Sequence, residues 1–310
     1  MNKLYFALGI SLLGCGTEPS GPETLPNLEV PDVPENGLQV ITPIFENIQP
    51  GTDNEVCAWT DKIFEKETDV KMTVGYQTEP PGHHALLFYT LDKQPAGTQR
   101  ICTDTDMASF RYLTGNGSNG EPNTAPGDLV FRVPAGAQLV VNSHYLNTSD
   151  EVVKGQSLIN VHFADPGKQY IASGATVFLD TTLDVPQGVS SFKTSCIVDR
   201  QQKFWYMIPH MHRWGTKITV DLTRTTGEKE NLFTTDWQEQ YTFHPPESRF
   251  DPETPFLINV GDQVDVNCTW NNDEGRSLPF GFEMCVAFGQ TVDVEGRGSW
   301  ACNGGQWHTF

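Results

Sequence analysis

The sequence predicts an all-β protein made of two tandem β-sandwich, jelly-roll-like domains. Three observations lead to this fold class: short alternating apolar runs begin near Leu38, turn-forming residues separate them, and no long stretch has helical periodicity. Many short strands separated by Gly, Pro, Asn and Asp are typical of sandwiches and jelly rolls. The 310 residues are enough for one large or two medium domains with proper cores.

Two stretches show the strand pattern most clearly. Residues 129–133 and 139–141 are apolar and flank Pro134-Ala135-Gly136, and this arrangement predicts a β-hairpin. Residues 217–222 lead into Thr226-Gly227, which predicts a strand followed by a turn.

The folded part divides into two halves near residues 164–167, where Asp, Pro and Gly cluster. We therefore expect an N-terminal domain over residues 38–166 and a C-terminal domain over residues 167–310. Residues 16–37 hold five prolines among Glu, Gly, Ser and Thr, a composition that buries no core. This segment is predicted to be a tether that holds the domains off a membrane surface.

The first 15 residues resemble a bacterial lipoprotein signal peptide. Lys3 supplies a positive charge, residues 4–13 are mostly apolar, and Leu12-Leu13-Gly14-Cys15 resembles a lipobox. The apolar run is too short to span a bilayer as a mature helix. We expect cleavage before Cys15 and lipidation of that cysteine; the alternative is an ordinary signal peptide with a chance cysteine. The predicted location is the bacterial cell envelope, at the outer membrane or cell surface, with membrane contact through the lipid anchor only.

The charge balance excludes one class of partner. Lys and Arg number 20 and Asp and Glu 39, so the net charge is −19. Nucleic-acid binding relies on a basic surface, so nucleic acid is not an expected partner. The acidity does not identify a substrate and is typical of a well-solvated secreted protein.

The cysteines predict a disulfide framework. Seven are present, and removing Cys15 leaves an even set of six without a CxxC motif. In an exported chain this pattern predicts three disulfides, and the sequence alone allows fifteen pairings.

Three groups of histidines can carry metal chemistry. His83 and His84 open an apolar strand after Pro81-Gly82, His144 ends another strand, and an H-x-H pair follows a third. Residues two apart share a face of a strand, so His210 and His212 can bind one metal ion. His83 and His84 can do so only where the backbone is irregular, as Pro81-Gly82 makes plausible.

Together these residues resemble the copper type II, ascorbate-dependent monooxygenases, the family of peptidylglycine α-hydroxylating monooxygenase and dopamine β-monooxygenase. The likeness spans about residues 40–305 of the sequence. The shared features are a His-His pair before a Leu-Leu-Phe strand, a His-Tyr strand end, an H-x-H pair and a Glu-Met-Cys run. Here they are His83-His84, His144-Tyr145, His210-Met211-His212 and Glu283-Met284-Cys285.

The resemblance implies two coppers per chain, one in each domain, facing each other across a shared cleft. One copper, held by three histidines, would store and deliver an electron; its ligands are His83, His84 and His144. The other would meet O2 and substrate at the catalytic set His210, His212 and Met284. The implied reaction hydroxylates an aliphatic C–H of a small-molecule or peptide-like substrate, with ascorbate or a similar one-electron donor as co-substrate.

The resemblance also implies a disulfide pairing and a change of substrate. The implied pairs are Cys57–Cys102, Cys196–Cys302 and Cys268–Cys285; one further family disulfide is missing, and Thr90 stands at its position. The amidating enzymes hold the carboxylate of their peptide with an Arg, an Asn and a Tyr, which are replaced here by Ile208, Val286 and Phe288. Because an unpaired buried carboxylate is unfavourable, we expect a more apolar substrate.

The remaining candidates have structural interpretations. His162, His244 and His308 are expected to bind no metal, and Met207 and Met211 are expected to pack in the core. Two other functions stay open: a non-catalytic copper protein for storage, delivery or sensing, and a surface interaction module on the same fold. Retention of all six ligands disfavours the second of these.

Overall fold

The computed structural model describes residues 23–116, 119–242, 244–293 and 298–309. The signal peptide and the lipidated Cys15 predicted from the sequence lie outside these residues. The all-β prediction is confirmed: in the described part, the helical elements are one short α-helix, Asp104–Ser109, and a 3-10 turn, Glu239–Thr242. Neither helix is long and apolar enough to cross a membrane.

The strands of the N-terminal half are β1 Gly37–Ile41, β2 Phe45–Ile48, β3 Asp53–Ile63, β4 Thr68–Gln77, β5 Gly82–Thr90, β6 Gln99–Ile101, β7 Arg111–Asn116, β8 Pro122–Thr124, β9 Leu129–Val133, β10 Gln138–Leu146, β11 Val153–Gly155 and β12 Ser157–Phe163. Those of the C-terminal half are β13 Ile171–Leu179, β14 Asp184–Val185, β15 Gly188–Ile197, β16 Gln202–His210, β17 Gly215–Thr223, β18 Lys229–Asp236, β19 Ser248–Arg249, β20 Phe256–Ile258, β21 Gln263–Asn272, β22 Leu278–Pro279, β23 Val286–Asp293, β24 Trp300–Asn303 and β25 Gln306–Thr309.

In the N-terminal half, two sheets enclose one apolar core. Strands β1, β12, β4 and β9 lie side by side, and β6, β3, β10, β5 and β7 form the second sheet. The core takes side chains from both sheets, such as Val70 and Val161 from the first and Leu87 and Val141 from the second. All four are fully buried, as expected for the inward faces of packed sheets.

The C-terminal half repeats this arrangement. Strands β13, β23 and β16 form one sheet, and β15, β21, β17 and β18 form the other. Phe204 and Met207 of the first pack with Val220 and Val266 of the second. Met207 and Met211 are buried in this core, as predicted from the sequence.

The two halves share a sheet. The predicted break at residues 164–167 falls between β12 and β13, but Ile171 of β13 pairs in parallel with Leu129 of β9. Trp205 and Val292, from the C-terminal half, pack into the core of the N-terminal half. The halves are therefore joined by main-chain hydrogen bonds as well as by side-chain packing.

The predicted hairpin is wrong, whereas the predicted strand and turn at residues 217–227 are confirmed. Strands β9 and β10 follow each other through residues 134–137, yet β9 pairs with β4 and β13 while β10 pairs with β3 and β5. The connection therefore crosses from one sheet to the other. Both strands are almost wholly buried, so they lack the alternation of a half-exposed hairpin. Residues 217–222 do form a hairpin, because β17 pairs with β18 around Gly227.

Most of the segment predicted to be a tether packs against the folded part. Residues 23–36 lie against the N-terminal half and do not extend away from it. The Gln156 side chain accepts from the Leu25 N–H at 2.9 Å and donates to the Glu23 carbonyl at 2.9 Å, and Leu28 is buried. Hydrogen bonds of this kind, from a side chain to the main chain, hold the proline-rich segment in one conformation although the segment has no core of its own.

The structure contains the three disulfides implied by the family resemblance: Cys57–Cys102, Cys196–Cys302 and Cys268–Cys285. Three disulfides are consistent with an exported protein. Cys57 and Cys102 are 45 residues apart and cross-link β3 to the segment before the α-helix.

Removing this first disulfide should lower stability without changing the fold. For Cys57→Ala combined with Cys102→Ala, we expect a loss of about 2–5 kcal/mol in unfolding free energy, because the unfolded chain gains freedom. Urea denaturation of the oxidised protein measures the difference, and peptide mapping should show the other two disulfides intact. An unchanged unfolding midpoint would contradict this expectation.

Candidate metal centre

His83, His84 and His144 come together where β5 and β10 run antiparallel. His144 pairs with His84, but Tyr145 pairs with Gly82, so His83 is an extra residue in β5. An extra residue of this kind is a β-bulge, which breaks the strict alternation of side chains. The backbone irregularity required for His83 and His84 to share an ion is therefore present.

Gly82 makes the bulge possible through close packing. A Cβ atom at this position would lie 2.5 Å from the Gln77 Cβ and 2.6 Å from the Thr78 carbonyl oxygen. The Gly82 N–H donates to that same carbonyl at 2.7 Å. Only glycine allows this approach, so the residue before the His-His pair fixes where the bulge forms.

The three imidazoles converge. One potential ligand atom from each lies within 4.8 Å of the other two, and the Nδ1 atoms of His83 and His84 are 3.4 Å apart. Two imidazole nitrogens that share an ion at about 2.0 Å lie roughly 3 Å apart, so this spacing suits metal binding. Among the described residues, this is the one group of three or more His, Cys, Asp or Glu side chains that converges in this way.

Electrostatics keep His84 in its metal-binding form. Burial lowers the pKa of His84 well below its usual value, and the nearby charges of His144, His83, His210 and His244 lower it further. A neutral imidazole has a lone pair to offer a metal, whereas an imidazolium has none. The ring centre of His244, in the C-terminal half, is 6.3 Å from that of His83, so this half lies close to the triad.

The second histidine group lies at the end of β16. His210 is the last residue of this strand, and its ring centre is 5.0 Å from that of His212. The structure thus brings the pair together, although His212 lies beyond the strand that was expected to align them. Burial, and to a smaller extent the nearby His212, lower the pKa of His210 to about 3.

His212 has one nitrogen directed for ligation. Its Nδ1 lies 3.0 Å from the Phe282 carbonyl oxygen. A carbonyl only accepts hydrogen bonds, so Nδ1 carries the proton and Nε2 keeps the lone pair. A backbone carbonyl that orients a ligating imidazole in this way is common around metal sites.

Glu283 is fully buried and ties this group together. Its carboxylate accepts from the Trp270 Nε1–H at 2.7 Å and from three backbone N–H groups, those of His212 at 3.2 Å, Trp214 at 3.0 Å and Met284 at 3.2 Å. Burial raises the pKa of Glu283, and the charge of His212 and these donors oppose that rise. One side chain therefore positions both the H-x-H turn and the segment that carries Met284.

Met284 is half-buried on the segment that contacts His212. Its neighbour Cys285 is cross-linked to Cys268 of β21, a central strand of the C-terminal half. The carbonyl of Phe282 and the carboxylate of Glu283 both bond to His212. The short run before the disulfide is thereby held beside the H-x-H pair.

The three apolar residues of the predicted substrate pocket share a sheet face with His210. Ile208 pairs with Phe288 and His210 pairs with Val286, and cross-strand partners point to the same side. Part of this face is covered: the Phe288 ring lies 5.3 Å from the ring of Tyr112, in β7 of the N-terminal half, and Val286 is 7% exposed. The face is apolar as predicted, but it contributes to the contact between the halves.

His244 was not expected near the metal centre. This exposed residue lies in a loop of the C-terminal half, and its ring centre is 6.3 Å from that of His83. Its only local sequence signal is the following Pro245-Pro246, which indicates a loop and says nothing of the triad. Glu283 was also missed as a positioning residue, although it lies in the Glu-Met-Cys motif. His162 is half-buried in β12 and His308 is exposed in β25.

The donor set fits copper. Imidazole binds Cu, Zn, Fe and Ni, while a thioether is a soft ligand that favours Cu(I). The triad offers three imidazoles that have already converged, of which His84 is held neutral. His210, His212 and Met284 offer two imidazoles and a thioether on adjoining segments.

Comparisons with known proteins add no functional assignment. No protein-family model matches the chain, and no curated protein matches it. A triple jelly-roll structure from a study of turret assembly in an archaeal virus is similar at a TM-score of 0.22 and 7% identity, over 84% of this chain and 61% of that one. The chain thus spans less than two thirds of that viral chain. A structure of infectious bursal disease virus, Gx strain, is similar at a TM-score of 0.20 and 9% identity, over 90% and 75%.

Proposed function

We propose that this protein is a copper- and ascorbate-dependent monooxygenase, as its resemblance to the copper type II family implies. The observation that carries the proposal is the convergence of His83, His84 and His144 in the N-terminal half. A second histidine pair, His210 and His212, lies in the C-terminal half with its ring centres 5.0 Å apart. In this proposal each of two jelly-roll-like domains contributes one copper site.

The chain's own residues would prepare the two sites. Bound copper would supply one-electron redox chemistry and a place for O2 to react. Burial and neighbouring charges hold His84 and His210 neutral, the Phe282 carbonyl sets the tautomer of His212, and Glu283 fixes the turn around it. In the overall reaction one oxygen atom enters an aliphatic C–H bond, and the other leaves as water with two electrons and two protons.

The substrate is proposed to be apolar. Ile208, Val286 and Phe288 line the sheet face beside His210, and none of them can pair with a carboxylate. Tyr206 lies two residues before Ile208 and faces the same way, and burial raises its pKa to about 12, so it is neutral at ordinary pH. Arg249 lies over the ring of Tyr206 but is paired with Glu247, and none of the apolar residues beside His210 carries a charge, so glycine-extended peptides should be poor substrates.

One observation favours the alternative, a non-catalytic copper protein at the cell surface. The contact of Phe288 with Tyr112 covers part of the face on which a substrate would lie. A storage, delivery or sensing protein needs only the ligands and no open pocket. The two functions therefore differ in turnover and not in copper binding.

Copper loading followed by oxygen uptake tests the proposal. We expect two copper ions per chain by metal analysis, with ascorbate-supported O2 consumption that rises with apolar substrates and not with a glycine-extended peptide. His144→Ala should remove one copper, because the triad is reduced to two imidazoles. Two coppers without substrate-coupled uptake would favour the non-catalytic alternative, and a preference for zinc or a failure to bind metal would contradict both.

The cellular location is proposed from the sequence. The three disulfides are consistent with export, and attachment to the envelope through a lipid on Cys15 is part of the proposal. Partition of the expressed protein into detergent, abolished by Cys15→Ser, tests the anchor.

A further inference from the structure

His244 belongs to the C-terminal half but lies beside the metal centre of the N-terminal half. Its ring centre is 6.3 Å from that of His83. Within the triad itself the corresponding separations are 4.8, 5.3 and 5.6 Å. An imidazole nitrogen binds at about 2.0 Å, so two rings on opposite sides of one ion have centres roughly 6 Å apart. The His83–His244 separation is close to this value, and because His244 lies outside the group whose ligand atoms already converge, its ring must turn to reach the ion.

The loop that carries His244 is fixed at both ends to the second histidine group. Before it, Trp237 donates from Nε1 to the His212 carbonyl at 3.0 Å, and its N–H donates to the Thr216 carbonyl at 2.8 Å. After it, β19 pairs with β16, the strand that ends at His210. The described part of this loop thus contacts His212 at one end and reaches the triad at His244.

His244 can adjust its side chain at little cost. The residue is exposed, and its N–H donates to the Gln240 carbonyl at 3.0 Å, which fixes the main chain and leaves the ring to rotate. No core packing has to be broken for the ring to turn toward His83. Four imidazoles are a donor set that suits Cu(II) in tetragonal geometry.

We propose that His244 is a fourth ligand of the metal site formed by His83, His84 and His144, so that a bound copper ion ties the two halves of the molecule together. This inference rests on the proposed copper-binding function. His244 is the residue through which a bound copper ion would link the two halves. The ligands then come from β5 and β10 of one half and from the loop between β18 and β19 of the other.

The test uses the His212→Ala protein as its parent. This substitution breaks the histidine pair of the second site, so that copper titration reports on the triad. Cu(II) is titrated into this parent and into the parent with His244→Ala, against a competing chelator. We expect His244→Ala to raise the Cu(II) dissociation constant about tenfold or more, as removal of a metal-site partner does. The nitrogen hyperfine pattern in the EPR spectrum should change from four coupled nitrogens to three.

Two further variants serve as controls. His308→Ala removes an exposed histidine of the same half that lies on the C-terminal strand β25, and it should change neither readout. His144→Ala should weaken copper binding more strongly than His244→Ala does. Copper should also raise the thermal unfolding midpoint of the parent by more than that of the His244→Ala protein, because only the parent gains a link between its halves.

The outcomes separate this inference from the proposed function. An unchanged dissociation constant and EPR pattern in the His244→Ala protein, with weakened binding in the His144→Ala protein, would overturn the role of His244 and leave the copper function standing. A parent that binds no Cu(II) although its triad is intact would overturn both.

Discussion

Glu283→Ala should lower the free energy of unfolding by about 3–5 kcal/mol, the range expected when one partner of a buried charged network is removed. The substitution leaves four N–H donors without their acceptor, among them the indole of Trp270, which is buried in the C-terminal core. Each buried donor that loses its partner destabilises the fold by about 1–3 kcal/mol. Urea denaturation of the purified protein measures the change.

The same substitution should affect the two metal sites differently. Glu283 holds the backbone of His212 and of Met284, so its loss should weaken copper binding at the second site by tenfold or more. The His83, His84 and His144 site contains none of these contacts and should keep its copper. Equal loss at both sites would show that the protein had unfolded and that Glu283 does not act locally.

A surface glutamate of the same half provides the matched control. Glu247 pairs with Arg249, and both side chains are substantially exposed. Exposed pairs of this kind contribute about 0–1 kcal/mol. Glu247→Ala should therefore leave both copper sites and most of the stability unchanged. If Glu247→Ala lowered stability and copper binding as much as Glu283→Ala, removal of any carboxylate in this region would have the same effect. The specific role assigned to Glu283 would then be contradicted.

The strands could be predicted from the sequence, but their partners could not. Alternating and apolar runs report whether a segment is extended and how much of it is buried, and these predictions agree with β9, β10 and β17. The turn at Pro134-Ala135-Gly136 fits a hairpin and a crossing between sheets equally well. Only packing decides between them: β9 and β10 are buried on both faces, and each lies inside its own sheet.

The grouping of His83, His84 and His144 was predicted from the family resemblance, and only the irregular backbone at the His-His pair has a local signal in the sequence. Pro81-Gly82 before two histidines indicates an irregular strand start, and the bulge at His83 is the consequence. His244 and Glu283 carry no such signal. His244 reaches His83 only because the two halves pack together, and the partners of Glu283 come from three separate stretches of chain. Contacts of this kind depend on tertiary structure and leave no spacing pattern in one sequence.

The proposed substrate face shows that an apolar residue pattern does not reveal how accessible a surface is. Ile208, Val286 and Phe288, in place of the carboxylate-binding set, predict an apolar surface, and the structure places the three residues on one sheet face. The sequence did not indicate that Tyr112, from the other half, would lie against Phe288. Burial raises the pKa of Tyr112, and the proximity of Tyr206 raises it further, so Tyr112 is neutral at this contact. Access of a substrate to this face therefore depends on how the two halves pack.

Met284→Ile should nearly abolish ascorbate-supported turnover while the fold persists. Isoleucine keeps the apolar bulk but removes the thioether, and a swap of similar volume usually changes stability by less than about 1.5 kcal/mol. The disulfide between Cys285 and Cys268 and the bond from the residue 284 N–H to Glu283 do not depend on the sulfur, so the segment should stay in place. X-ray absorption of the Cu(I)-loaded protein should lose its sulfur scatterer, and copper at His83, His84 and His144 should remain. Met207→Ile is the control, because Met207 is buried in the core of the same half and should tolerate the change with turnover retained. Full activity of Met284→Ile on a true substrate would mean that Met284 only packs, and the proposed second copper site would then be wrong.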